Sequence, residues 1–289
     1  MIYGDQKDRD FLKRYIESLI GAINAIGAPH AGRQLPIPII EKTYLDLFRR
    51  LKASLMGILA QLGYWPEYGE MKVPISLLFR SCVTDVLLLL FLKSLEQHEP
   101  TFENELHVLD TPYIKFVKGL LDADQLTTTE DAKQQALSKL YADAAYLIEE
   151  TSPALKFKKS EVLRHGSDEE LLKKGGRTFS STLTTESQYT YLNKLPEFSS
   201  LSHLYWLYKH FSQHEHYSHA GSVIINLPQW FECLQWYKAL YGCFRAVQLT
   251  SSRIGAEKVL IEDLTINMGH LHARLLEHQE DLAAASKQE

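Results

Sequence analysis

The sequence predicts an all-α fold: one bundle of about eight main helices, spanning residues 1–289, with a long connector at 151–200. Three observations predict it. Apolar residues recur at helical spacing along almost the whole chain. The best β-branched run, Ser222–Leu227, is short and isolated. Residues that start and stop helices for a physical reason stand at several ends of the apolar periods.

Taken in order, the first periods cover about Asp8–Ile26 and Ile39–Leu62. The third, Pro74–Gln97, holds the longest apolar run, Val86–Leu92, and reads as the central core helix. A fourth covers about Phe102–Leu121, where Thr101 can cap the helix after Pro100. Thr129–Glu150 is the fifth. After the connector come Ser200–Ser218, Pro228–Ser251 and Gly255–Ala285. Pro228 suits a first helical position, where its missing N–H leaves no bond unmade. No sustained heptad marks the last helix, although its length suits dimerisation.

The connector is longer than loops inside compact domains tend to be. Within it, Ser167 and Glu170 make a capping-box pattern for one short helix that Gly175-Gly176 can end. Its first half is basic and Thr178–Thr190 is rich in serine and threonine, which reads as a solvated excursion. Lys173-Lys174-Gly175-Gly176 lacks the order of a phosphate loop.

A net charge of −5 argues against bulk electrostatic binding to nucleic acid. Three cysteines without CxxC spacing suit free thiols in a reducing compartment. The charged start, MIYGDQKDRDFLKRY, is no secretory signal, and Val86–Leu92 is too short to span a bilayer. These readings place the protein in the cytoplasm, away from membranes.

Five of the twelve histidines fall between Ser202 and Gly221: His203, His210, His214, His216 and His219. Familiar chemistries fail there on spacing. In HExxH, two histidines four apart share a helical face around zinc. Here His214-Glu215 is followed by Ser218 at the required place, and His219 comes one residue late. The inverted form fails at Ser212. Glu-x-x-His, GxSxG, GxGxxG and Arg-x4–6-His are all absent from the chain. His210 and His214 remain an i, i+4 pair able to hold a metal, but no third ligand of evident spacing accompanies them. The expectation is therefore no metal and no cofactor.

At about 100° per residue, His203, His210 and His214 share one stripe. Leu201, Leu204, Tyr208, Phe211, Ser212 and His219 share another sector with His216 at its edge, and its apolar members mark it as core-facing. Tyr208, Ser212, His216 and His219 then form a polar strip in need of partners. Arg80 and Asp85, in the apolar third helix, are the candidates to meet it.

Tyr208-x3-Ser212-x3-His216-x-Ser218, preceded by an Arg-containing apolar helix, resembles a family of uncharacterised bacterial α-helical proteins, a domain of unknown function. That family carries Arg-Ser-x-x-Glu on an early helix and Tyr-x-x-Leu-Ser-x-x-x-His on a late one. Arg80-Ser81 matches the early motif, but Thr84 stands in the acidic place and Asp85 follows it. Phe211 stands where the family favours leucine. The resemblance implies a helical fold and no established reaction.

The functional expectation is a non-catalytic binding or regulatory protein. Its ligand-binding candidates are Arg80, Asp85, Tyr208, Ser212, His216 and His219, facing an anionic small molecule or nucleic acid. The alternative is a metal-independent hydrolase or ribonuclease on a phosphate-containing substrate. His216 would then be the acid or base, with Tyr208 and Ser212 beside it. A histidine metal-binding protein, through His210 and His214, ranks third.

Overall fold

The computed structural model describes residues 6–31, 37–97, 129–143, 183–215 and 226–285, with Phe102, Glu105, Leu106, Leu109 and Leu120 between them. Every regular element among the described residues is helical. The long helices are α1 (Gln6–Gly27), α2 (Ile39–Leu62), α3 (Lys72–Leu95), α4 (Glu130–Asp143), α5 (Thr185–Leu192), α6 (His203–Ser212), α7 (Gln229–Ser251) and α8 (Lys258–Ala285). The chain divides into two compact units, Met1–Lys93 with Gln188–Glu289, and Ser94–Ser187.

In the first unit α3 is the central helix, as its sequence demands. It is apolar on nearly every side, so burial all round is its only stable placement. Ile75, Phe79, Val83, Val86, Leu90 and Phe91 are wholly buried. Phe79 stacks on Phe211 of α6 and on Trp236 of α7, and Phe91 meets Tyr191 of α5 edge-on. By length and composition Gly69–Leu95 is long and apolar enough to cross a membrane, a property hidden by counting only Val86–Leu92. Two thirds of its 18-residue apolar window is buried inside the protein.

Helix α1 packs on α2 and α7, and α7 also packs on α6 and α8. A polar bond joins three of them: the Tyr237 hydroxyl donates to Asp8 at 2.5 Å, and Arg274 pairs with the same oxygen at 3.0 Å. Asp8 sits in the first turn of α1, where a carboxylate also suits the helix dipole. At Gly242 of α7 an added Cβ would stand 2.6 Å from Leu204 of α6, so glycine allows that close approach.

In the second unit, Thr129 caps α4 by accepting the Ala132 N–H at 3.4 Å, and Glu130 and Asp131 fill the first turn. The serine- and threonine-rich stretch yields a helix that periodicity did not reveal. Thr184 accepts the Ser187 N–H at 3.2 Å and donates to the Ser187 hydroxyl at 3.0 Å, which starts α5. The predicted helix over Ser167–Gly175 lies outside the described residues, as do Ser222–Ile225 and most of Phe102–Leu121.

Candidate metal centre

Helix α6 and the turn that follows it bring His210 and His214 to one side. The helix proper ends at Ser212, and the chain continues in tight turns: His214 N–H donates to the Phe211 carbonyl at 3.2 Å, and Glu215 N–H to the Ser212 carbonyl at 3.2 Å. The imidazole of His214 is thereby kept on the His210 side. Helix α7 supplies the third group. Pro228 opens it, and Glu232 falls in its first turn, where an acid suits the helix dipole.

Glu232 is wholly buried, and both histidines are nearly so. His210 Nε2 lies 3.0 Å from Glu232 Oε1, and His214 Nε2 lies 3.5 Å from the same oxygen. One ligand atom from each residue falls within 4.8 Å of the other two. Donors bound tetrahedrally at about 2.0–2.1 Å from zinc stand about 3.3 Å apart, and the two histidine–glutamate edges, 3.0 and 3.5 Å, bracket that value.

The surroundings fix the carboxylate. Its other oxygen, Oε2, accepts the Ser76 hydroxyl at 3.2 Å, and Ser76 in turn accepts the Trp236 indole N–H at 3.0 Å. Burial pushes the Glu232 carboxyl up, but the hydrogen bond to His210 and the close imidazoles of His210 and His214 outweigh it and bring it down to about 2. Glu232 is thus an anion at neutral pH. His214 is held more loosely than His210: its side chain is fully buried, Nε2 faces Glu232 Oε1 at 3.5 Å without good hydrogen-bond geometry, and Nδ1 makes no hydrogen bond. Trp206, half exposed, stacks on His210 with ring centres 5.1 Å apart.

Lys72 stands at the start of α3, one turn before Ser76. It is buried, and its ammonium donates to the Leu227 carbonyl at 2.8 Å. Burial lowers its pKa, opposed by the carboxylates of Glu232 and Glu70.

The polar strip is partly assembled. Arg80 Nε donates to Ser212 Oγ at 2.9 Å, and Ser212 donates on to the Tyr208 carbonyl at 2.7 Å. The Arg80 guanidinium lies 5.4 Å from the Tyr208 ring centre and pairs with Glu215 at 3.0 Å. Asp85 does not join this group. Five residues beyond Arg80, it points about 140° away around α3 and pairs with Arg50 of α2 at 2.9 Å. His216 and His219 lie outside the described residues.

Helical phase alone set His210 and His214 on a flank of α6. That flank is buried because α7 covers it. Glu232 gave one sequence signal, a lone carboxylate in the aromatic stretch WFECLQW, where a buried charge demands a partner. Its spacing of 22 from His210 fits no metal motif. Compared with family models, curated proteins and solved structures, the chain gives no match.

Proposed function

We propose that this is a metal-binding helical protein whose centre is His210, His214 and Glu232. The observation that carries the reading is the convergence of three buried donors: His210 and His214 both turn Nε2 to one oxygen of the ionised Glu232 carboxylate, and the His214 contact, at 3.5 Å, falls short of a good hydrogen bond. Two imidazoles and a carboxylate suit zinc and neighbouring first-row divalent ions better than calcium or magnesium, which take oxygen donors. Three protein donors leave a further coordination position for water or a ligand. The Ser76 bond to Oε2 supports binding through Oε1 alone, since outer hydrogen bonds orient metal-bound carboxylates.

Protein purified without chelators is expected to carry, or to take up on titration, one zinc or cobalt ion per chain. His214→Ala and Glu232→Gln should each weaken that uptake by at least about tenfold, the usual scale for a lost interaction at a metal site. Equal stoichiometry and affinity in wild type and both variants, measured by elemental analysis and calorimetry, would place any bound metal elsewhere and end the reading.

The resemblance to the uncharacterised helical family enters as part of the same proposal. It is supported by the bond between its two motifs, Arg80 to Ser212. Arg80 is engaged by Ser212 and Glu215, which favours a register-fixing role for it over anion binding. Three buried free thiols support a reducing, cytoplasmic setting.

A further inference from the structure

Lys72 is an unusual residue in this core. A lysine is rarely buried unless it is paired. Its ammonium has three N–H donors. One goes to the Leu227 carbonyl, and among the described residues no carboxylate comes within ion-pair distance of it. Its place in the fold is equally specific. Lys72 and Ser76 share one side of α3 a turn apart, and Ser76 holds the far oxygen of Glu232. Leu227 immediately precedes the helix that carries Glu232. A buried cation with spare donors therefore stands one helical turn from the serine that holds the Glu232 carboxylate, beside a centre whose three donors leave a coordination position open.

From this juxtaposition we infer that the centre takes a small oxyanion, a phosphate or carboxylate group, bound between the metal ion and Lys72. One oxygen fills the open position on the cation, and a second accepts the spare Lys72 N–H donors. The inference rests on the metal reading of His210, His214 and Glu232. It adds the chemical class of the ligand and a residue outside the donor set.

The test uses the full chain loaded with zinc, titrated with inorganic phosphate and separately with acetate, in wild type, Lys72→Met and Lys72→Gln. All three should still bind zinc, the two variants at least as tightly as wild type, because each removes a cation from beside the divalent ion. One of the two anions should bind wild type at least about tenfold more tightly than either variant, the scale of a lost charge-assisted hydrogen bond. The preferred anion identifies phosphate or carboxylate as the recognised group. Equal anion affinity in wild type and variants overturns the inference and leaves the metal reading standing. Failure of wild type to bind zinc overturns both. Lys72→Gln keeps an N–H for Leu227 and so guards against a folding defect in Lys72→Met. Should neither variant fold, the cobalt-loaded wild type decides. Its visible spectrum should shift with millimolar phosphate or acetate, and an unmoved spectrum overturns the inference.

Discussion

Asp85 shows how one side chain carries two opposed effects. Burial pushes its carboxyl up to about 6, although the Arg50 guanidinium beside it pulls the other way. The folded protein therefore holds a proton on Asp85 that the unfolded chain has already lost between about pH 4 and 6. Stability falls as pH rises through this window and is flat, for this group, above it. The full effect is about 3 kcal/mol for a shift of roughly two pKa units. Thermal melts of wild type and Asp85→Asn from pH 4 to 7 check it. Wild type should lose stability relative to the variant as the pH rises, and parallel curves would contradict the sign. At this scale the sequence was half legible. The Arg80–Ser212 bond follows from two polar residues on apolar helices that had to find partners. The Asp85–Arg50 pair does not, because Arg50 is largely exposed and nothing local marks it.

Among the elements, α1, α2, α7 and α8 were readable because a one-sided or continuous apolar pattern fixes each of them. Helix α5 was hidden, since its start depends on a threonine–serine cap rather than on periodicity. The meeting of α6 with α7 was hidden as well, because contact between helices is not a property of either alone. Glycines give a test of that contact. Gly269 of α8 has nothing within 4 Å of an added Cβ, whereas Gly242 of α7 would press on Leu204 of α6. Gly269→Ala should raise stability by about 0.5–1 kcal/mol through the unfolded chain. Gly242→Ala should gain less, or lose about 1 kcal/mol, because Leu204 must move within a packed core. Denaturant midpoints measure both, and equal gains at the two sites would show that α6 yields freely.

For the molecule as a whole, the core around α3 and the candidate centre are separable. Phe79, Phe211, Trp236 and Trp65 pack without help from His214. The apo protein is therefore expected to remain folded, unlike small domains that depend on zinc. Binding a cation to the folded state alone adds about 4 kcal/mol at a free concentration near a thousand times Kd. In a unit of this size that is a rise in Tm of roughly 10 °C. Melts with zinc and with chelator should differ by such an amount in wild type and coincide in His214→Ala. A chelator that unfolds the wild type outright would show instead that the core depends on the metal.

The spacing of the donors has a consequence for the order of assembly. His210 and Glu232 are 22 residues apart, whereas Ser76, which steadies the carboxylate, is 156 residues from it. Closing the shorter loop costs less chain entropy by about 1.7 kcal/mol. The contact between α6 and α7 is therefore the entropically cheaper one to close, and under the metal reading a cation can be gripped there before the hydrogen bond from Ser76 of α3 closes over it.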